Sequence, residues 1–128
     1  MADSKAILDF LAKSEKDMIG LIETLVNIDS VSYDKAGVDK VGEALAEFFA
    51  RHGIECERLP RKIHGDVFRA RVPGPGNAHI VLMGHRDTVF PKGEPTRRPF
   101  KIVDGRAYGP GVADMKAGLV MNAYVLAA

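Results

Sequence analysis

With 128 residues, 46% of them apolar and 27% charged, the chain has the size and composition of one soluble globular domain rather than a disordered segment. A formal net charge of +1 gives no ground for nucleic acid or an anionic membrane surface as a partner. The single cysteine, Cys56, excludes an internal disulfide, lacks a Cys/His partner at zinc-finger spacing, and reads as a packed strand residue.

The opening MADSKAILDFLAKSEKD carries acids and no apolar core, so it does not read as a secretory signal. No apolar run approaches the roughly 20 residues of a membrane span. A cytoplasmic location is therefore expected. From about Ser4 to Ile28 the apolar spacing is helical. It predicts two pieces, the first with Ile7, Leu8, Phe10 and Leu11 on one face. Ser14 would cap the second, which places Met18, Leu21, Ile22, Leu25 and Val26 inward. Residues 29–37 read as loop. A third helix follows, with Val38, Val41, Leu45, Phe48 and Phe49 inward and Gly53 at its C-terminal end. Glu43 and Glu47 are spaced to share a metal, but they lie opposite the apolar stripe and read as a solvated face.

The period then changes to two. Residues 54–59 and 67–72 alternate like strands with one wet face. The basic cluster Arg58, Arg61, Lys62, Arg69 and Arg71 belongs to that face, because Arg69 and Arg71 alternate with Phe68, Ala70 and Val72. After a Pro/Gly turn, His79 to Met83 is a continuous apolar run ending in Gly84, which predicts a strand buried on both faces. Residues 86–99 form a long loop. Phe100 to Val103 and Arg106 to Tyr108 flank Asp104-Gly105, a hairpin turn. The glycine-rich Gly109-Pro110-Gly111 leads to an apolar helix starting near Asp114 or Met115. Helices, then strands, then a returning helix predict a layered α/β sheet with helices on both faces. The sequence stops inside that last helix without a cap, a pattern expected of a chain that continues.

Two stretches carry chemistry. Gly84-His85-Arg86-Asp87-Thr88 follows the most apolar strand, so it falls at the strand's C-terminal end, where open α/β sheets gather ligands. His85 can offer an imidazole nitrogen to a metal there, with Asp87 placed to steady the ring. Asp114 either caps the following helix or turns inward to bridge a metal pair about 3.5–4 Å apart.

Together, GHRDTVFP and AYGPGVADMKAG resemble the zinc-dependent peptidase and amidohydrolase family of glutamate carboxypeptidase, aminoacylase, succinyl-diaminopimelate desuccinylase and peptidase T. The likeness is greatest to the glutamate carboxypeptidase branch and covers nearly the whole chain. The resemblance implies that residues 1–128 are the N-terminal part of a three-layer α/β/α catalytic domain with a mostly parallel mixed sheet. It implies that His85 ligates one metal, that Asp114 bridges two, and that Asp87 is the catalytic aspartate supporting them. A cis peptide between Asp114 and Met115 is implied as well. The cofactors implied are two Zn2+, though such ligands also accept Co2+ or Mn2+. The reaction implied is hydrolysis of an amide in a small peptide or N-acyl amino acid, with a homodimer as the full-length form.

Pro110 stands where some relatives have arginine, so no role for that arginine carries over. The family's general base, commonly one of two glutamates, and its remaining ligands lie downstream, and no Glu or His follows Asp114. The second, dimerisation or lid domain is missing too. Upstream, Glu94 lies in the loop after His85, but a ligand role for it is not expected. His52, His64 and His79 read as helix-end, loop and strand residues. With two ligands where a catalytic zinc keeps three, the chain alone is expected to bind metal weakly and to be inactive. Two other classes compete: a phosphate- or nucleotide-binding module using the Gly109-Pro110-Gly111 loop, and a short non-catalytic interaction protein using its sheet edge and last helix.

Overall fold

The computed structural model describes residues 3–128. The first segment is one helix, α1 (Ser4–Val26), and not the two expected pieces. Ser14 does not cap anything. Its Oγ donates to the carbonyl of Phe10 at 2.8 Å, so the hydroxyl is satisfied within the helix and the turn is not interrupted. The cap is Asp3, which accepts from the Lys5 amide at 3.0 Å. Helix α2 (Lys35–Arg51) begins at Asp34, whose carboxylate accepts from the Gly37 amide, and is followed by Gly53 at φ 67°, as the sequence predicts.

Strands β1 (Glu55–Leu59) and β2 (Val67–Arg71) pair antiparallel, Glu55 opposite Arg71 and Leu59 opposite Val67. A one-turn helix, α3 (Glu94–Arg97), interrupts the expected loop. Strands β3 (Lys101–Val103) and β4 (Arg106–Tyr108) form the predicted hairpin. Its two turn residues, Asp104 and Gly105, are both left-handed at φ 50° and 74°, the geometry that matches the twist of a two-residue turn. Helix α4 (Ala117–Ala127) closes the fold.

The core is built where three helices meet. Leu21 and Leu25 of α1, Val41, Leu45, Phe48 and Phe49 of α2, and Leu119, Val120, Ala123 and Tyr124 of α4 are buried together with Ile54. The inward face expected of α2 is the observed one. Cys56 and Ala70 of the first hairpin pack against the same core. Arg69 and Arg71 lie on the hairpin's wet side as expected, with Arg69 Nη2 2.5 Å from Glu57. Arg58, opposite Phe68 in the register, turns instead to α2, where the carboxylates of Asp39 and Glu43 draw it in together with Asp66.

The chain mixes helices and strands, but its only sheets among the described residues are two antiparallel pairs. The sole parallel element among them is a single bridge between Val31 and Thr88. His79–Met83, expected as a doubly buried strand, joins no ladder, and Ile80, Val81 and Met83 are 91%, 75% and 82% exposed. A strand apolar on both faces is buried only if strands flank both edges and layers cover both faces. Here cover arrives only at its end, where Gly84 lies against Leu119 of α4 and Met115 just before it. Helix α4 shows the same one-sidedness. It is apolar nearly throughout, yet Met121 and Val125 are each 63% exposed.

One position on α2 is closed to any side chain. A Cβ on Gly42 would collide with Arg86 Nη1 and stand 2.6 Å from Phe68 Cδ2. Gly42→Ala is expected to lower the unfolding free energy by about 1–3 kcal/mol through overpacking, outweighing alanine's better helix propensity of up to about 1 kcal/mol. Urea unfolding reads this directly, and a variant as stable as the unaltered chain would show that the slot has slack.

Candidate metal centre

Three segments converge on the site. The loop after α1 receives residues 86–88 through two main-chain bonds, Thr88 N to Ser30 O at 2.8 Å and Ser32 N to Thr88 O at 3.1 Å. The exit of the second hairpin passes close by, with Gly111 at φ 75° pressed so near Thr88 that a Cβ would stand 2.6 Å from its Cγ2. The chain then does not enter a helix at Asp114, contrary to expectation. Asp114 (φ −132°, ψ 96°) and Met115 (φ −135°, ψ 37°) are non-helical, the peptide between them is cis, and α4 starts only at Ala117. The cis bond agrees with what the resemblance implied. Asp114 therefore caps no helix, and its side chain turns back to His85.

His85 Nε2 lies 2.8 Å from Asp114 Oδ1. Its other nitrogen, Nδ1, lies 3.1 Å from Asp87 Oδ1 and 3.2 Å from the Asp87 carbonyl. The three residues singled out in the sequence thus meet, with the ring strung between two carboxylates. Sequence reading missed a fourth member. Ser32 Oγ donates to Asp87 Oδ2 at 2.6 Å, so that one Asp87 oxygen is held by a hydroxyl and the other faces the imidazole. No local signal marks Ser32, because its partner lies 55 residues away.

The electrostatics follow from these contacts. The bond to Asp114 raises the His85 pKa above its ordinary value against an opposing effect of burial, and Asp87 adds to the rise. Burial works to raise Asp87, but the Ser32 hydroxyl and His85 outweigh it and hold the carboxyl below its usual range. Asp114 is open to solvent, its side chain 85% exposed. A cleft of about 280 Å³ opens over the site, lined among others by His85, Asp87, Asp114, Phe90, Gly109 and Val112.

A larger depression of about 460 Å³ lies on α2 and β1, but its charges are already matched: Lys35 Nζ is 2.7 Å from Asp39 and Arg58 Nη1 2.9 Å from Glu43. Glu43 is thereby an exposed helix-face residue and not a metal ligand. Glu94 is also spoken for. It is 2% exposed, ion-paired with Arg97 and Arg98, and does not line the cleft. His52 ends α2, with Nδ1 2.8 Å from the Phe48 carbonyl, while His64 and His79 are exposed and away from the cleft. Gly109-Pro110-Gly111 leads into an irregular segment carrying the Asp114 carboxylate, which leaves a phosphate no regular helix N-terminus to bind.

Lys116 is another residue that sequence reading passed over. It is 1% exposed, its Nζ donates to the Ile28 carbonyl at 2.9 Å, and burial pulls its pKa down to about 8. That displacement from 10.5 disfavours the ammonium by on the order of 3 kcal/mol. The lost hydrogen bond would cost about 1 kcal/mol or somewhat more. Lys116→Met is therefore expected to stabilise the chain by on the order of 1–2 kcal/mol at neutral pH. A lowered urea midpoint would show instead that the bond to Ile28 matters more than the buried charge.

An imidazole nitrogen and a carboxylate oxygen facing each other suit zinc, cobalt or manganese. Anchoring Nδ1 on Asp87 leaves Nε2 as the nitrogen to offer. Among the described residues no three His, Cys, Asp or Glu side chains converge as a complete set, so the arrangement supplies two donors. No helix among the described residues is long and apolar enough to cross a membrane.

Residues 81–128 match the family described as Peptidase family M20/M25/M40. The chain is 34% identical over 111 residues to carboxypeptidase G2 of Pseudomonas sp. (strain RS-16), covering 85% of this chain and 26% of that protein. It is 34% identical over 107 residues to acetylornithine deacetylase of Proteus mirabilis (strain HI4320), covering 77% and 27%. It is 37% identical over 113 residues to succinyl-diaminopimelate desuccinylase of Rhodospirillum centenum (strain ATCC 51521 / SW), covering 80% and 28%. The resemblance carried by the two motifs is borne out. The chain spans about a quarter of the length of the curated relatives it matches.

Proposed function

We propose that this chain supplies the N-terminal, metal-binding part of a metal-dependent hydrolase that cleaves an amide bond in a small peptide or N-acyl amino acid. The observation that supports this best is His85 Nε2 facing Asp114 Oδ1 at 2.8 Å, with Asp87 behind the ring. The relatives' names describe removal of a carboxy-terminal residue, an acetyl group and a succinyl group, which is the substrate range proposed.

In this reading His85, through Nε2, and Asp114 would hold the metal, zinc being the first choice. Bound there, the metal would polarise the scissile carbonyl and lower the pKa of a water. Asp87 fixes the ring by accepting from Nδ1, and Ser32 fixes Asp87. Among the described residues only Asp87 and Asp114 bring carboxylates to the cleft, and both have these duties, so neither is free to take the proton from water. The 128-residue chain by itself is accordingly proposed to bind zinc without turning over substrate. The test is to incubate it with zinc and a panel of N-acetyl and N-succinyl amino acids, dipeptides and folate-type glutamate conjugates, following release of free amine. No release is expected, and steady hydrolysis by the purified chain would overturn the assignment of roles.

The exposed apolar run Ile80–Met83 favours a second reading, a non-catalytic interaction protein. A discrete, stable oligomer with no affinity for zinc would put that reading first.

A further inference from the structure

We infer that Arg86 is a positioning residue that locks His85 and Asp87 toward the cleft by seating its own side chain in a slot on the opposite side, built by α2 and β2. The inference rests on the proposed metal-binding reading for its purpose, but its geometry stands without metal. His85 and Asp87 both reach into the cleft, whereas Arg86 between them turns away. Its guanidinium donates to two main-chain carbonyls, that of Val38 on α2 at 3.1 Å and that of Asp66 just before β2. Its Cζ lies over the Phe68 ring, 4.7 Å from the centroid. Gly42 leaves the space the guanidinium fills, since any Cβ there would collide with it. Asp39 and Asp66, both buried, supply negative charge nearby and are themselves ordered by Lys35 and Arg58.

A residue flanked by two site residues cannot rotate without turning both of them. Arginine suits the task because its planar fork serves two carbonyls and stacks on an aromatic ring at once, which an ammonium cannot do. The slot thus ties the site to parts of the fold that contribute nothing else to it. On the other side, Thr88 is held by Ser30 and Ser32. The pair Asp87–His85 is fixed from both ends.

The test is amide hydrogen exchange on the metal-free chain, comparing the unaltered protein with Arg86→Met and Arg86→Lys. In Arg86→Met the amides of Thr88 and Ser32 are expected to exchange at least about tenfold faster, while those of Leu45 and Phe48 in α2 keep their rates; Arg86→Lys falls between. Zinc affinity measured in parallel is expected to drop about 10–100-fold, the range for residues that orient a ligand. If protection at Thr88 and Ser32 is unchanged, or falls equally throughout α2, Arg86 is not the anchor. Should Arg86→Met fail to fold, Arg86→Lys must still show faster exchange at Thr88 and Ser32 with Leu45 and Phe48 unchanged, or the inference fails. A chain that loosens locally yet takes up no zinc, even unaltered, would sink the metal-binding reading and leave the anchoring in place.

Discussion

Alanine at His85 or at Asp114 is expected to lower the zinc affinity of the chain by more than about 100-fold, and alanine at Asp87 by about 10–100-fold. The two classes separate because of what each residue touches. His85 Nε2 and Asp114 Oδ1 are the facing atoms, 2.8 Å apart, so deleting either leaves a single donor. Asp87 meets only the far nitrogen of the ring. Its loss frees the imidazole to rotate and removes the preference for presenting Nε2, without removing a ligand. Calorimetric zinc titration, supported by the absorption of bound cobalt, measures all four proteins on one scale. Undiminished binding by the His85 variant would place the metal elsewhere.

Metal uptake by the unaltered chain also has to displace something. Nε2 lies 2.8 Å from Asp114, a contact that raises the His85 pKa, so a metal taking Nε2 must displace the proton the imidazolium carries there. Zinc binding is therefore expected to release protons, more of them in acid than in mildly alkaline buffer.

Phe48→Ala is expected to cost about 3–5 kcal/mol, the usual range for truncating a buried aromatic. Phe48 is 2% exposed and sits where the helices meet, its ring 4.9 Å from Tyr124 of α4, 5.7 Å from Phe49 and 4.1 Å from His52. Few neighbours can move into the gap, because the same ring spaces α2 from α4. For a small domain with a total stability of about 5–15 kcal/mol, a loss of that size reaches the margin of folding. Val89→Ala serves as the control. Val89 is 89% exposed, and its truncation is expected to change stability by less than about 0.5 kcal/mol. Guanidinium unfolding of the two variants distinguishes a packed junction from loosely associated helices. A Phe48 loss no larger than that of Val89 would mean the helices do not share a core.

Both experiments bear on how much was legible beforehand. Local rules read well wherever the answer depended on near neighbours. The buried face of α2 follows from a repeat of three and four, and the second hairpin from Asp104-Gly105, whose positive φ values need no distant partner. The wet face of the first hairpin follows from alternation. Where local rules misled, a neighbour in space had replaced a neighbour in sequence. Ser14 looks like a cap, but the helix before it and the helix after it share one core and run on as one. Asp114 stands where a helix start was expected, yet its backbone is extended and its carboxylate belongs to His85, 29 residues earlier.

The amino-acid sequence by itself determined the helical periods, the turns, and the pair of motifs that bring His85, Asp87 and Asp114 under suspicion together. It could do so because residue type and spacing alone decide which faces are apolar and which groups can ligate. Only the tertiary structure decided who holds those three in place. Ser32 and Arg86 act through partners 55 and 48 residues away, and nothing in their immediate surroundings marks them. The same holds for His79–Met83. Its apolar pattern states that it can be buried, but burial is a property of what packs against it, and in this chain little does.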